Sequence, residues 1–419
     1  MSKSEIIYNW LQKKYTRKIN LDRKRIFKIL ERLDSPHLNL INILGIAGSD
    51  GKFSTGFSLL CFLQADRKYC TFFSSPHLFD MRHRVWLKDR YITLNEIKKY
   101  EKIVSRTGLK LTLFELITMI YLLAANQQKK IAYHILEAGA GYEKDSTNLW
   151  DNPKAQIITN INLQHLDLFK VKTLKDVIRI KVGYLSKNTN IYIGKQTSKV
   201  LKIIKKILKK NPSKKIYPST WSIKNIKGKY YYKDNNNTIP IKSQYIHSSG
   251  LLNNLGLAIK IALDFKVKKK IIIKTIPKIK FQGRIDYIKN GKLRKLINKN
   301  EKLILDGCHS NASAKNLVSY LKTINEPIYG IWGMQKNKLP EQFIKNFKGI
   351  FKKIITVKIP KEPNSLKAKE LKQICIKNNF QVEQSINIKD SLKKISSSEK
   401  KTIVVFGSLF LCGSYLSKN

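Results

Sequence analysis

The stretch ILGIAGSDGKFSTGF, residues 43–57, decides the fold of the N-terminal half. A β-branched run ends in a turn with two glycines, and the next segment has the apolar periodicity of a helix. Strand, glycine-rich turn and helix are the setting of a phosphate-binding loop, in which backbone amides and a lysine hold an anion. In the common form a Ser or Thr follows the lysine directly, whereas here Phe53 follows Lys52. The hydroxyls come later, at Ser54 and Thr55. This stretch alone leaves open both a plain glycine-rich turn and a phosphate loop with different spacing.

Short β-branched runs alternate with helical patterns along the rest of the chain. They predict a first series of strands within residues 40–48, 68–75, 131–139, 155–162 and 190–194. A second series is predicted within residues 302–307, 327–333, 353–359 and 402–408. Such alternation is typical of a mainly parallel sheet covered on both faces by helices. The chain is therefore predicted to form a phosphate-loop domain over 1–288 and a smaller α/β domain over 289–419.

Two segments are predicted separately. Residues 210–248 are polar and rich in tyrosine, and KYYYKDNNNTIPIK (229–242) predicts a hairpin, followed by a helix at 250–265. The apolar run LFELITMIYLLAAN (113–126) contains Glu115 and is too short to span a bilayer, so it predicts a buried helix.

The net charge of +52 comes from 81 Lys and Arg against 29 Asp and Glu. Only 12 of the basic residues are arginines, which leaves 69 lysines. Arginine is the residue that reads base edges bidentately, so the composition argues against specific nucleic-acid recognition, while nonspecific attraction to polyanions is expected. The excess of Lys, Ile and Asn indicates an AT-biased genome, of the kind found in reduced bacterial genomes.

The five cysteines are odd in number and form no CxxC pair, which favours reduced thiols over disulfides or a zinc site. The N-terminus has no apolar segment of signal-peptide length. We therefore predict a cytoplasmic protein that does not enter a membrane.

Polar side chains stand at the ends of several predicted strands. Ser75, Glu137 and His165 follow three of them, and Lys52 follows another. Because the carboxyl ends of parallel strands share one edge of a sheet, these four residues should converge there. A hydroxyl, a carboxylate and an imidazole could hold Mg²⁺ against phosphate. Each residue taken singly also has a plainer reading, Glu137 as an exposed carboxylate and His165 as an ordinary, partly buried histidine.

Nine motifs, in order, resemble those of the folylpolyglutamate synthase/dihydrofolate synthase group of the Mur ligase family. GSDGKFS (48–54) is similar to that group's loop G-T-N-G-K-G-S, which has one residue between the lysine and the serine. The other eight are SSPHL (74–78), LEAGAGYEKDSTN (136–148), NLQHLD (162–167), IRIKVGYLSK (178–187), LLNNLGLA (251–258), FQGRID (281–286), LDGCHSNAS (305–313) and GSLFLCG (407–413). The resemblance runs nearly from end to end and explains the position of Phe53.

The resemblance implies a P-loop-type parallel-sheet ATPase domain, a Rossmann-like C-terminal domain, and an ATP-dependent amide ligase that joins glutamate to dihydropteroate or folate. It implies catalytic roles for Lys52, Lys181 and His309, with carbamylation of Lys181, and Mg²⁺ ligation by Ser75, Glu137 and His165. ATP-binding residues would be Gly48, Ser49, Asp50, Gly51, Lys52, Phe53, Ser54, Asn254, Arg284, Asp306 and Ser408. Two Mg²⁺ ions, a possible K⁺ ion and a monomeric state also follow from the resemblance.

Departures from the family pattern leave two alternatives open. Phe53 replaces a glycine, Glu143 an arginine and Ile180 a glutamate. Gln164 replaces an aspartate. Another Mur-type ligase is one alternative, although SSPHL and GSLFLCG are of the folate type. A degenerate homologue that binds ATP without turnover is the other.

Overall fold

The computed structural model describes residues 3–16, 23–164 and 166–419. Its contacts divide the chain into two compact units, the first formed by Met1–Ser243 and Leu251–Ile279 and the second by Gln244–Gly250 and Lys280–Asn419. The domain limits 1–288 and 289–419 stay a prediction.

The α-helices follow in chain order. They are α1 Lys3–Lys14, α2 Arg23–Arg32, α3 Lys52–Ala65, α4 Leu94–Ser105, α5 Leu113–Asn126, α6 Leu166–Phe169, α7 Leu174–Val182, α8 Ser198–Ile207, α9 Ser249–Asp264, α10 Lys269–Thr275, α11 Asn311–Leu321, α12 Pro340–Lys345, α13 Ala368–Lys377, α14 Ile388–Ile395 and α15 Leu409–Leu416. Within the described part of the chain, no helix combines the length and the apolar character needed to cross a membrane.

The strands are shorter than the helices. They are β1 Ile43–Ala47, β2 Cys70–Phe73, β3 Val85–Leu87, β4 Arg90–Tyr91, β5 Tyr133–Glu137, β6 Ala155–Ile158, β7 Asn190–Ile193, β8 Lys214–Ile216, β9 Trp221–Ile226, β10 Lys229–Asp234, β11 Thr238–Ile241, β12 Asp286–Tyr287, β13 Lys302–Asp306, β14 Ile328–Trp332, β15 Lys353–Thr356, β16 Val382–Gln384 and β17 Thr402–Phe406.

The main sheet of the first unit has the strand order β4-β3-β2-β5-β1-β6-β7-β8. The six strands from β2 to β8 in that order are parallel, whereas β3 pairs antiparallel with β2 and β4 pairs antiparallel with β3. This confirms the predicted parallel sheet. Strand β1 is central, with β2 and β5 on one side and β6 to β8 on the other, so the loop after β1 lies at the point where the strand order reverses. Ligands bind at that point in open α/β sheets.

Two apolar clusters pack side by side against one face of this sheet, because they include Ile43 and Ala47, which point to the same side of β1. One contains side chains of α1, α2, α4 and α5, and the other those of α7 and α8. Helix α3 packs against the opposite face, where its Gly56 lies close to Ile46. Helix α5 is the predicted buried helix, and a capping box of Thr112 and Glu115 fixes its start. The tyrosine-rich segment forms the predicted hairpin of β10 and β11, which β9 extends to a three-stranded antiparallel sheet.

The second unit contains a six-stranded sheet in the order β12-β13-β17-β14-β15-β16. All of its pairs are parallel except that of β12 with β13. Each of the four strands predicted in this region is present. The apolar core includes Trp332, Phe343, Phe347 and Phe406, whose rings stack or tilt against one another.

Candidate active site

The loop between β1 and α3 needs glycine at two positions. Gly48 has φ 146° and Gly51 has φ 91°, a region that other residues rarely adopt. A Cβ atom on Gly48 would lie 2.0 Å from Oγ1 of Thr159, and one on Gly51 would lie 2.5 Å from Oδ1 of Asn254. The two glycines therefore allow the loop to pass close to its neighbours and turn directly into the helix.

The backbone amides of the loop are of two kinds. Those of Ser49 and Asp50 donate to the carbonyl of Asn160, at 2.8 and 3.2 Å. Those in the first turn of α3, from Lys52 to Ser54, have no acceptor within the helix, and Gly51 before them has no side chain to cap them. The open end of α3 is therefore where an anion can be held, by amides and by the helix dipole.

Lys52 folds back over the loop, and Glu137 meets it there. The Lys52 ammonium lies 3.3 Å from the carbonyl oxygen of Gly48 and 3.8 Å from Oε1 of Glu137. Oε2 of Glu137 accepts from the backbone amide of Ser75 at 3.3 Å. The ends of β1, β2 and β5 thus bring together Lys52, Ser75 and Glu137, as the topology predicts. Glu137 is only 3% exposed, which rules out its reading as an exposed carboxylate.

Lys181 is wholly buried beneath the loop. Its ammonium donates to the carbonyl of Gly48 at 3.1 Å and to the carbonyl of Ala140, and lies 5.7 Å from the centre of the Phe169 ring. Burial and the nearby ammonium of Lys52 lower the pKa of Lys181 to about 7, although Asp145 and Asp50 act in the opposite direction. A substantial fraction of this amine is therefore neutral and nucleophilic near neutral pH.

Asp50 ties the loop to the segment that leads to residue 165. Its carboxylate accepts from the side-chain amide of Asn162 at 2.7 Å and from that of Gln164 at 3.2 Å. His165, the third predicted magnesium ligand, lies outside the described residues. Among the residues that are described, no three His, Cys, Asp or Glu side chains form a group that could hold a metal ion.

Asn254 contacts the first turn of α3, in which Phe53 lies. The amide of Asn254, on α9, donates to the hydroxyl of Ser54 at 2.8 Å. The Phe53 ring stacks on Phe57, with centroids 5.5 Å apart, and tilts against Phe72 at 6.0 Å. Phe53 therefore places its ring in an aromatic cluster beside the sheet.

Three predicted residues of the second unit, Asp306, His309 and Ser408, lie at the ends of β13 and β17, which are neighbours in the sheet. The fourth, Arg284, precedes β12, and its guanidinium lies beside Gly307. Asp306 is buried and accepts from the amides of Ile285 and Cys308, at 2.9 and 2.8 Å. Burial raises the pKa of Asp306, and Arg284 opposes that rise. His309 bonds through Nδ1 to the carbonyl of Gly307 at 2.9 Å.

Ser408 is the N-cap residue of helix α15. Its hydroxyl accepts from the amide of Phe410 at 3.1 Å and so caps α15. Cys308 and Cys412 are buried, as predicted for small core residues, and burial raises the pKa of both thiols.

Asp145 is not among the predicted site residues, but it shapes the glycine-rich turn beside Lys181. Its carboxylate accepts from the amides of Gly139 and Thr147, at 2.9 and 3.0 Å, and from the Thr147 hydroxyl at 2.7 Å. Burial raises the pKa of Asp145. The signal was present in the sequence, because an Asp two residues before a Thr is typical of a turn closed by its own side chain.

Two family models match the chain. The Mur ligase middle domain matches residues 85–255, and the dihydrofolate synthetase C-terminal domain matches residues 288–418. Among curated proteins, dihydrofolate synthetase of Saccharomyces cerevisiae is 24% identical and covers 95% of this chain and 97% of its own length. Dihydrofolate synthase/folylpolyglutamate synthase of Buchnera aphidicola is 27% identical, with 95% of both chains covered.

The solved structures agree on the fold. FolC of E. coli, in complex with DHPP and ADP, superposes with a TM-score of 0.85 at 18% identity, over 99% of this chain and 97% of that one. Family models, relatives of similar length and fold all point the same way. The chain belongs to the Mur ligase family, in the group that contains the dihydrofolate and folylpolyglutamate synthases.

Proposed function

We propose that the protein is an ATP-dependent ligase that joins L-glutamate to dihydropteroate, to reduced folate, or to both. The observation that carries the proposal is the contact of Lys52 with the buried Glu137 beside the open end of α3. A cation, a carboxylate and the first-turn amides of a helix, placed where the strand order of a parallel sheet reverses, suit a nucleoside triphosphate. Both curated relatives described above are dihydrofolate synthases by name.

The reaction would proceed by two transfers. A carboxylate oxygen of the acceptor attacks the γ-phosphorus of ATP, the bond to the bridging oxygen breaks, and ADP leaves with that electron pair. The amine of glutamate then attacks the acyl carbon, phosphate departs and the amine loses a proton. Lys52 and the amides of Lys52 to Ser54 would hold the terminal phosphates in line and offset their negative charge.

Glu137 and Ser75 would hold a divalent cation, together with His165. The fit is good on the described side, because Glu137 is buried, faces Ser75 and offers the hard oxygen ligands that Mg²⁺ prefers. Bound Mg²⁺ would supply charge neutralisation for the phosphates. Glu137 would also orient the Lys52 ammonium, which lies 3.8 Å from its Oε1 atom.

Carbamylation of Lys181 is part of the proposal. The neutral amine would add to the carbon of CO₂ and release one proton, which converts a buried cation into a carboxylate-like anion. The lowered pKa of Lys181 and its place beside Gly48 and Lys52 support this step. A carbamate there would face the same loop as Lys52, and a second Mg²⁺ bound to it stays a prediction. A K⁺ ion stays a separate prediction.

The second unit would contribute Arg284, Asp306, His309 and Ser408 to the nucleotide or the acyl intermediate, and Asn254 would contact the nucleotide from α9. The domain limits 1–288 and 289–419, the monomeric state and the cytoplasmic location belong to this proposal as well. The five cysteines are all free thiols, which supports a reducing compartment.

The test is ADP release by the purified protein with Mg²⁺, bicarbonate and glutamate, comparing dihydropteroate with tetrahydrofolate as acceptor. We expect turnover that requires glutamate and at least one acceptor, and turnover with both would make the enzyme bifunctional. The absence of turnover with both acceptors, in folded protein that still binds ATP, would refute glutamate ligation to pteroates and folates and favour the degenerate homologue. Turnover only with a cell-wall precursor would favour another Mur-type ligase.

A further inference from the structure

Positive charge in the first unit is segregated. The 57 residues from 177 to 233 contain 15 lysines and one arginine but no Asp or Glu. The stretch contains helix α8, the strands β7 and β8 at one edge of the main sheet, and strand β9 of the small sheet. A positive field from this region is therefore not cancelled by carboxylates within the same segment.

Helix α8 and the turn after it concentrate this charge on one side. Val200, Ile204 and Leu208 are buried in the core beneath the helix. The exposed lysines recur at spacings of three and four residues, which places them on the opposite side. We call them the α8 lysine surface, formed by Lys199, Lys202, Lys205, Lys206, Lys209, Lys210 and Lys214.

The lysines of this surface have no acidic partners in the described ranges of the chain, where the structure forms no ion pair between them and a carboxylate. Exposed lysines of the second unit differ. Lys302 lies 2.6 Å from Glu326, and Lys352 lies 3.2 Å from Glu399. Several lysines of the second unit thus have carboxylate partners, whereas those of the α8 lysine surface have none within the described ranges.

Aromatic side chains lie beside lysines of the segment 177–233. The Lys205 ammonium lies 5.2 Å from the centre of the partly exposed Tyr217 ring. In the small sheet, Lys224 of β9 stands opposite Tyr231 of β10. Both point to the face opposite the buried Trp221 and Tyr232, because successive strand residues alternate between faces.

We propose that the α8 lysine surface binds the sugar–phosphate backbone of single-stranded nucleic acid without regard to sequence. Residues 199 to 210 extend about 17 Å along the helix axis, at about 1.5 Å per residue. One nucleic-acid strand presents about five phosphates over that distance, at about 3.4 Å each. The six lysines between residues 199 and 210 are thus comparable in number to these phosphates, and the Tyr217 ring beside Lys205 offers a face on which a base can stack.

Other polyanions fit this surface less well. A helix that binds membranes inserts an apolar side, but Val200, Ile204 and Leu208 are already buried in the core of the unit. An acidic protein gains little from the tyrosines. Lysine is a point charge that favours phosphate without fixing its geometry, which is why the proposed binding is independent of sequence.

The test measures binding of a fluorescent homopolymeric single strand of roughly 20 nucleotides over a range of salt concentrations. The test variant is the quadruple Lys199→Gln, Lys202→Gln, Lys206→Gln, Lys209→Gln. The matched control removes as many charges from the paired lysines of the second unit, through Lys302→Gln, Lys352→Gln, Lys353→Gln and Lys394→Gln. None of these residues belongs to the candidate active site, so ligase turnover should stay unchanged in both and report intact folding.

We expect the α8 variant to lower the slope of log affinity against log salt by about 3, at roughly 0.7 for each lysine, with affinity falling at least about tenfold. The control variant should change the slope by less than about 1. Equal losses in both variants would overturn the proposal, because binding would then reflect net charge alone. Tighter binding to phosphatidylserine vesicles or to a polyglutamate peptide than to the oligonucleotide would overturn it as well.

Discussion

Helix α3 of the first unit and helix α15 of the second both begin just after a buried parallel strand and a glycine with positive φ. Their first turns are satisfied differently. In α15 the hydroxyl of Ser408 accepts from the Phe410 amide, whereas the cap residue of α3 is Gly51, which has no side chain to accept from an amide. Helix α11 resembles α15, because Ser310 caps it through the amide of Ser313 at 3.2 Å.

The difference shows how one strand–turn–helix unit serves two purposes. A serine cap satisfies the helix from within and stabilises it by about 1 kcal/mol. A glycine at the same place leaves the amides for a ligand, and the protein without that ligand lacks the stabilisation. The first unit adds to this cost, because it also buries Lys181. We infer that both features lower the stability of the first unit without its ligand and favour binding of that ligand.

The largest expected effect concerns the open end of α3, where we propose that the phosphates bind. Lys52→Ala should lower ATP turnover by at least about 10³-fold, because the terminal phosphates lose their cationic partner. Circular dichroism should show a folded protein with a lower melting temperature, since Glu137 would remain buried without its ammonium.

Lys102→Ala is the control for that variant, since it removes a lysine from the exposed side of α4 in the same unit. Its turnover should stay within about twofold of the original. Turnover in Lys52→Ala equal to that of the control would mean that the open end of α3 holds no phosphate.

The second prediction concerns the cost of burying Lys181. Its pKa in the folded protein, about 7, lies below the usual value of 10.5. The folded state therefore binds fewer protons than the unfolded state between pH 7 and 10.5, and stability should rise with pH in that window. Unfolding in denaturant, in buffer free of CO₂ so that the amine is not carbamylated, should show a gain of about 2 kcal/mol from pH 7 to pH 9.

Lys181→Met should abolish turnover, remove this pH dependence, and stabilise the first unit at pH 7 by about 2 to 4 kcal/mol. Lys205→Met, on the exposed side of α8, is the control and should leave both turnover and pH dependence as they were. A destabilised Lys181→Met protein with the original pH dependence would show that the buried amine is not a source of strain.

Strands buried on both faces could be predicted from the sequence, because they are continuous β-branched runs. All nine of those predicted in the two series are present. The short strands at the sheet edges could not be predicted. Arg90–Tyr91 and Lys214–Ile216 carry polar or basic residues that suit an edge, and they leave no apolar pattern.

The candidate site was predictable to the extent that its residues stand at strand ends. The topology then brings Lys52, Ser75 and Glu137 together, whatever the loops between them. The burial of Lys181 could not be predicted from the residues alone, because one lysine among 69 looks like any other until α7 is packed against the sheet. The link from Asp50 to Gln164 joins residues far apart in the chain, and it depends on the register of β1 with β6.

The third prediction replaces Gly51, the cap residue of α3, with serine, the residue that caps α15. Gly51→Ser should lower stability by about 2 to 3 kcal/mol and raise the KM for ATP, because its Cβ would meet Asn254 and break the bond from Asn254 to Ser54. Gly108→Ser is the matched control, since Gly108 has φ 70° with nothing near its Cβ position. It should cost about 1 kcal/mol for the backbone alone and leave the KM unchanged. Equal effects in the two variants would show that the close approach to Asn254 is unimportant.

The smallest effect separates capping from catalysis in the second unit. Ser310→Ala and Ser408→Ala each remove one cap, so each should lower the free energy of unfolding by about 1 kcal/mol. Ser408 is also proposed to contact the nucleotide, whereas Ser310 is not, so only Ser408→Ala should raise the KM for ATP as well. Chemical denaturation and steady-state kinetics on the same preparations measure the two effects separately. An unchanged KM in Ser408→Ala, with the loss of stability seen in Ser310→Ala, would reduce Ser408 to a helix cap. The end of α15 would then be satisfied entirely from within, and the contrast with the open end of α3 would be complete.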